Sequence, residues 1–207
     1  MNFKTTLSAL ALAIGLAQGA SAATTTIDFS NGETGSFFSD GTTYTATAAS
    51  VLFPRTAAVS VSADGLGVKH LLDSKPSQID GTPLLTSETL TITFSRAVKL
   101  LNFTLGLVDG NDDFEIAYNG GTFAAVAAGF TNPFVVLGQT YVSSFSIRAS
   151  GAACTGTLRR PVCTDGLLGN DDFTLAKASV VPLPAAGFML LAGLGGLAAM
   201  RRRKALV

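Results

Sequence analysis

Between residues 24 and 180 polar and apolar positions alternate in short runs, and no stretch repeats its apolar positions every three to four residues as an amphipathic helix would. The clearest run is Thr89-Leu90-Thr91-Ile92-Thr93-Phe94-Ser95. Leu90, Ile92 and Phe94 fall on one face of an extended strand, and Thr89, Thr91, Thr93 and Ser95 on the other. Similar runs rich in Thr, Val, Ile and Phe predict strands over residues 25–29, 44–48, 58–62, 99–105, 114–118, 122–126, 134–137, 143–149 and 173–180. Asn119-Gly120-Gly121 separates two of these and predicts a hairpin turn. Pro133 and Pro161 belong in loops or on edges, because proline has no N–H to give a ladder. About ten short strands broken by Gly, Asn and Asp predict an all-β fold, an antiparallel β-sandwich that is jelly-roll-like, with most phenylalanines between its sheets.

Two apolar runs break this alternation, one near each end. Residues 7–16 form a run too short to cross a bilayer, which takes about 20 residues. Lys4 precedes it, and the small residues Ala20-Ser21-Ala22 follow. A positive start, a short apolar centre and an A-x-A site in that order predict a secretory signal peptide over residues 1–22, with Ala20 and Ala22 marking the cleavage site. The general secretion machinery and signal peptidase are the partners this implies. At the other end, residues 185–200 carry no charge and would make a helix of about 24 Å, somewhat short of a hydrocarbon core of ~30 Å. Arg201, Arg202, Arg203 and Lys204 follow as a stop-transfer cluster, which fixes that end in the cytoplasm and can snorkel from a transmembrane helix.

Val181-Pro182-Leu183-Pro184-Ala185 leads into that second run, and its prolines are expected to stop any preceding strand. The proline motif, the apolar helix and the arginine cluster together resemble the PEP-CTERM sorting signal in its VPLPA variant, over about 25 residues. The resemblance implies an exported protein of a Gram-negative bacterium. It would be held in transit in the inner membrane by its C-terminal helix and cut near the proline motif by an exosortase, an integral-membrane cysteine protease or transpeptidase. It would then associate with the cell surface, exopolysaccharide or biofilm matrix. Leu183 stands where the family's usual form has Glu, which implies a variant exosortase. The same segment departs from a sortase motif at Ala186, where that motif has the Thr whose carbonyl is attacked. The stretch from Gly65 through Glu88-Thr89-Leu90 to Phe94 loosely resembles sandwich domains common among PEP-CTERM proteins. The chain thus divides into a signal peptide (1–22), an extracytoplasmic β-domain (23–180) and a sorting signal (181–207).

Composition sharpens this reading. The chain is 47% hydrophobic and 14% charged with a mean hydropathy of +0.42, and much of the excess lies in the two end segments. The formal charge of zero is a cancellation. Setting aside Lys4 and the four basic residues at 201–204 leaves nine basic against fourteen acidic residues, a body with a net charge of −5. An acidic domain is a poor ligand for nucleic acid, which needs a basic surface. Cys154 and Cys163 lie nine positions apart, and a nearby pair in an exported chain predicts a structural disulfide contributing roughly 2.5–3 kcal/mol.

One motif recurs. Gly110-Asn111-Asp112-Asp113-Phe114 returns 59 positions later as Gly169-Asn170-Asp171-Asp172-Phe173. Turn chemistry accounts for it on one reading, with Asn and Asp bonding nearby backbone and each Phe entering the core. On the other it is a structural Ca²⁺ site, since Ca²⁺ takes six to eight oxygens and loop carboxylates supply them. The candidate ligands are Asp109, Asn111, Asp112 and Asp113 in the first copy, and Asp165, Asn170, Asp171 and Asp172 in the second.

Signals for catalysis are sparse. His70 is the only imidazole, beside Lys69 in an apparent loop; it reads as a surface residue, and a His-ligated metal centre is not expected. No G-x-S-x-G elbow and no phosphate-binding G-x-x-x-x-G-K-[ST] loop occurs. The expected function is therefore a non-enzymatic surface or matrix protein, with no catalytic residues and no cofactor beyond Ca²⁺. The alternatives are a carbohydrate-binding module, thinly equipped with Tyr44, Tyr118 and Tyr141 and no Trp, an uncut inner-membrane-anchored protein, and a surface hydrolase using paired acids.

Overall fold

Threonine, valine and phenylalanine at alternating positions give this chain its strands, and the longest of them is longer than the local pattern predicts. The computed structural model describes residues 23–31, 41–51, 55–71, 73, 76–82, 86–138, 141–150, 154–157, 160–163 and 171–183. In order these form β1 (Thr25–Asp28), a single 3-10 turn (Phe29–Asn31), β2 (Tyr44–Ser50), β3 (Ala58–Ser62), β4 (Gly65–Lys69), β5 (Ile79–Thr82) and β6 (Thr86–Gly106). They continue with β7 (Phe114–Tyr118), β8 (Ala124–Val126), β9 (Phe134–Val135), β10 (Tyr141–Ala149), β11 (Cys154–Thr157), β12 (Arg160–Cys163) and β13 (Asp171–Pro182). No α-helix occurs among the described residues, and every strand pairing is antiparallel. The expected all-β, antiparallel class is what the described residues adopt.

β6 organises the ladder network. Its first half pairs with β2 (Tyr44↔Phe94 through Ser50↔Glu88) and with β10 (Ser144↔Thr93 through Arg148↔Thr89). Its second half pairs with β13 (Thr174↔Gly106 through Pro182↔Val98) and with β9 (Phe103↔Phe134). The two runs predicted at 89–95 and 99–105 are thus one strand. The break in alternation between them is a bulge, where residues 94–97 of β6 stand opposite the single residue Ser143 of β10. β13 is the second hub and is also bonded to β1, β4 and β5.

Asn119 is the side chain that holds this bulge. The predicted turn at Asn119-Gly120-Gly121 forms: Asn119 and Gly120 both have positive φ, 53° and 70°, as a type I′ turn requires, and the Gly121 N–H donates to the Tyr118 carbonyl at 2.9 Å. From that turn the Asn119 Oδ1 accepts the Ser143 N–H (2.7 Å) and the Ser143 hydroxyl (3.1 Å), while its amide donates to the Tyr141 carbonyl (3.2 Å).

The inward positions meet in one apolar core. Phe29, Phe103, Phe114, Phe145 and Phe173 are wholly buried. Phe103 lies 5.7 Å from Phe114, 5.2 Å from Phe134 and 6.0 Å from Phe145 between ring centroids, within the range where aromatic pairs attract. Leu90, Ile92 and Phe94 face this core as their parity predicted.

Two features run against the sequence reading. β13 does not end before the prolines: Val181 pairs with Lys99 and Pro182 with Val98, so the strand carries the first two residues of the proline motif. A proline is tolerated at a strand's end. β4 and β5 were not predicted as strands. Gly67 explains β4, because a Cβ there would lie 2.2 Å from the Ser77 carbonyl oxygen. The glycine lets the chain before β5 come against the strand, where the Val68 N–H donates to the Gln78 carbonyl at 2.8 Å.

Thr24–Pro182 forms a compact unit of its own. No helix among the described residues is long and apolar enough to cross a membrane. The predicted signal peptide, the apolar run at 185–200, Pro184, Ala185 and the basic cluster Arg201, Arg202, Arg203 and Lys204 lie outside the described residues.

Candidate functional site

The fold gathers several of its carboxylates along one seam. Three segments supply them: the turn after β4 with β5, the first residues of β6, and the loop before β7 with the start of β13. The two copies of the repeated motif meet here. The Asp112 Oδ1 accepts the backbone N–H of Asp172 (3.2 Å), and the Asp171 Oδ1 accepts the backbone N–H of Asp113 (3.3 Å). Each copy's first aspartate thus caps the other copy's second. Asp112 Oδ2 also accepts the Asp109 N–H (2.5 Å), and Asp109 Oδ1 accepts the Asn111 N–H (3.0 Å), which closes the loop before β7. The phenylalanines that follow, Phe114 and Phe173, are both buried, with ring centroids 6.2 Å apart.

Burial raises the Asp112 carboxyl above the usual carboxylate range. The two backbone hydrogen bonds pull it back, and the charges of Asp109 and Asp172 push it further up. Asp112 and Asp171 are each 1% exposed, while Asp109 and Asn111 lie at the surface. The residues singled out for calcium are therefore brought together, and the oxygens described here hold backbone N–H groups. Asp165 and Asn170 lie outside the described residues.

The seam continues through residues the sequence did not single out. Gln78 Nε2 donates to Asp172 Oδ1 (3.0 Å), and Asp80 stands directly across from Asp172 in the β5–β13 ladder. The Asp80 N–H donates to Glu88 Oε2 (2.8 Å). Glu88 is wholly buried, and its Oε1 lies 3.3 Å from His70 Nε2. Desolvation pushes Glu88 up to about 8, against the pull of the Asp80 N–H and with the charges of Asp80 and Asp73 adding to the rise. The His70 N–H donates to Asp73 Oδ2 (3.3 Å) and the Asp73 N–H to the His70 carbonyl (3.4 Å), a reciprocal pair that fixes the turn after β4.

His70 corrects the sequence reading. Its side chain is only 5% exposed, because the turn after β4 folds it over Glu88. His70, Asp73 and Glu88 each bring one ligand-type atom within 4.8 Å of the others. A signal for Glu88 was present: it shares parity with Leu90, Ile92 and Phe94, and so places a carboxylate on the inward face of β6.

The remaining singled-out residues lie elsewhere. Cys154 and Cys163 are Cα partners across the β11–β12 ribbon. Val181 and Pro182 are in β13, and Leu183 follows it, 37% exposed. Of the tyrosines, Tyr44 is buried against Phe29 (5.4 Å, edge to face), Tyr118 is half-buried and Tyr141 is exposed. No protein-family model and no curated protein matches the chain.

Proposed function

We propose that this chain is an exported, non-enzymatic surface or matrix protein of the PEP-CTERM kind, cut by an exosortase at Val181-Pro182-Leu183-Pro184-Ala185. The observation that carries the reading is the order of parts. The β-domain runs to Pro182, inside the proline motif, and the uncharged residues 185–200 and the cluster at Arg201, Arg202, Arg203 and Lys204 follow without a linker. The signal peptide and its A-x-A site give the matching entry to the secretion machinery. Exopolysaccharide is the surrounding in which such a domain would work. We read the domain as a two-sheet, jelly-roll-like sandwich, since β6 pairs with β2 in its first half and with β13 and β9 in its second, while β10 follows it across the bulge, over a shared phenylalanine core. A carbohydrate-stacking role is poorly supported, because only Tyr141 among the tyrosines stands exposed.

The test is intact mass and fractionation of the native protein, beside a Pro182→Ala/Pro184→Ala variant. A surface-bound or released form lacking both end segments, absent in the variant, is expected. Both proteins keeping the C-terminal segment in the inner membrane would overturn the processing reading and leave an uncut anchor.

A further inference from the structure

We propose that His70, Asp73 and Glu88 bind a first-row divalent metal ion of the zinc type. The proposal concerns a site the sorting reading does not use, and each stands or falls alone.

The argument begins with the imidazole. His70 Nδ1 lies 2.8 Å from the Leu71 carbonyl oxygen. A carbonyl only accepts, so Nδ1 carries a hydrogen, and Nε2 is the ring atom left to bind an electrophile. That nitrogen faces Glu88 Oε1 at 3.3 Å. Glu88 is wholly buried, and its Oε1 receives no hydrogen bond. Two electron-pair donors facing one another away from water require a positive charge between them. A proton would serve two atoms. A metal ion serves three, and Asp73 brings a third donor into the same 4.8 Å cluster.

Ligand distances of about 2.0–2.2 Å around Zn²⁺ place neighbouring donors roughly 3.4 Å apart; His70 Nε2 and Glu88 Oε1 already have that spacing at 3.3 Å, and the Asp73 carboxylate, within 4.8 Å, closes on them when the ion binds. The surroundings orient each ligand, as outer partners of a metal site do. The Leu71 carbonyl sets the ring's tautomer, the Asp80 N–H holds the other oxygen of Glu88, and the His70 N–H holds Asp73. The donor set decides the ion class. One imidazole with two carboxylates suits zinc and its first-row neighbours, whereas Ca²⁺ and Mg²⁺ prefer oxygen alone.

The test uses the full-length chain, stripped with a chelator and titrated with Co²⁺ as a spectroscopic probe and Zn²⁺ as competitor. One saturable equivalent of Co²⁺ with visible ligand-field absorption, displaced by Zn²⁺, is expected. Glu88→Gln keeps the shape and the acceptor for Asp80, and should weaken binding at least tenfold, as should His70→Ala. Asp28→Asn, on β1 away from the cluster and paired with Lys177, should bind as the parent does. Thermal unfolding offers a second readout: Zn²⁺ should raise Tm in the parent and in Asp28→Asn, and much less in Glu88→Gln. Binding that survives both Glu88→Gln and His70→Ala, binding lost in Asp28→Asn, or a response to Ca²⁺ and none to Zn²⁺ would each overturn the proposal. So would a folded parent that binds neither Co²⁺ nor Zn²⁺, which would leave a proton shared between His70 and Glu88.

Discussion

Asp112 and Asp172 stand sixty positions apart in the chain and are joined by a hydrogen bond of 3.2 Å from the Asp172 backbone to the Asp112 carboxylate. Asp171 returns the same bond to Asp113 at 3.3 Å. The repeated motif is thus a reciprocal clamp between the loop before β7 and the start of β13, not two separate turns. Removing either acceptor leaves a backbone N–H of the clamp without its acceptor, so Asp112→Ala and Asp171→Ala should each cost about 1–3 kcal/mol in denaturant unfolding. Because the two bonds fix the same pair of segments, the double variant should depart from additivity by at least ~0.5 kcal/mol. Strict additivity would mean that each bond acts locally and that there is no clamp.

The same residue sets a pH dependence. Burial raises the carboxyl of Asp112 in the folded state, with the charges of Asp109 and Asp172 facing it. A folded value above the unfolded one favours the protonated form. Its contribution to stability is present below the ordinary value of 3.8 and is lost as pH rises through the raised folded value. Measured against Asp112→Asn, the parent should lose relative stability as pH climbs from the acid side of that window toward neutrality. A parent that gains on the variant over this range would contradict the direction of the shift.

Asn119 combines a positive φ of 53° with a carbonyl oxygen that holds the bulged residue Ser143. Asn119→Ala loses both features and should cost roughly 2–4 kcal/mol. Asn119→Gly restores the backbone freedom and loses only the hydrogen bonds, so it should be the milder change by about 1 kcal/mol. Equal losses in the two variants would show that the side-chain bonds alone matter.

The β11–β12 register sets Cys154 opposite Cys163, and directly opposed antiparallel residues have Cα atoms about 4.5–5.5 Å apart, within disulfide range. Protein exported to an oxidising compartment should resist alkylation until reduced, and reduction should cost roughly 2.5–3 kcal/mol. Ready alkylation of both thiols without reductant would disprove the bridge.

Much of this was legible in the sequence because it rests on period two. The parity of Leu90, Ile92 and Phe94, the Asn119-Gly120 turn and the inward placement of Phe114 and Phe173 all follow from local rules. What local pattern missed came from long-range contact. β4 looks too rich in glycine for a strand until Ser77 is seen against Gly67. The β6 bulge hides the continuity of a 21-residue strand. His70 looked exposed because nothing near it in sequence announces Glu88, and the repeated motif gave no hint that its two copies bind each other.

β1 pairs with β13, Thr25 opposite Val180, so the first and last strands of the domain lie side by side. β13 is bonded to β4, β5 and β6 as well. A chain emerging from its N-terminal end therefore cannot complete its ladders until residues near 180 have emerged too. Such high contact order makes folding slow, and leaves β1 and β6 without their last neighbour during synthesis. The delay belongs to the topology itself: the domain can close only once its final strand is available, so truncation before residue 171 should leave no partly folded remnant of the ladder.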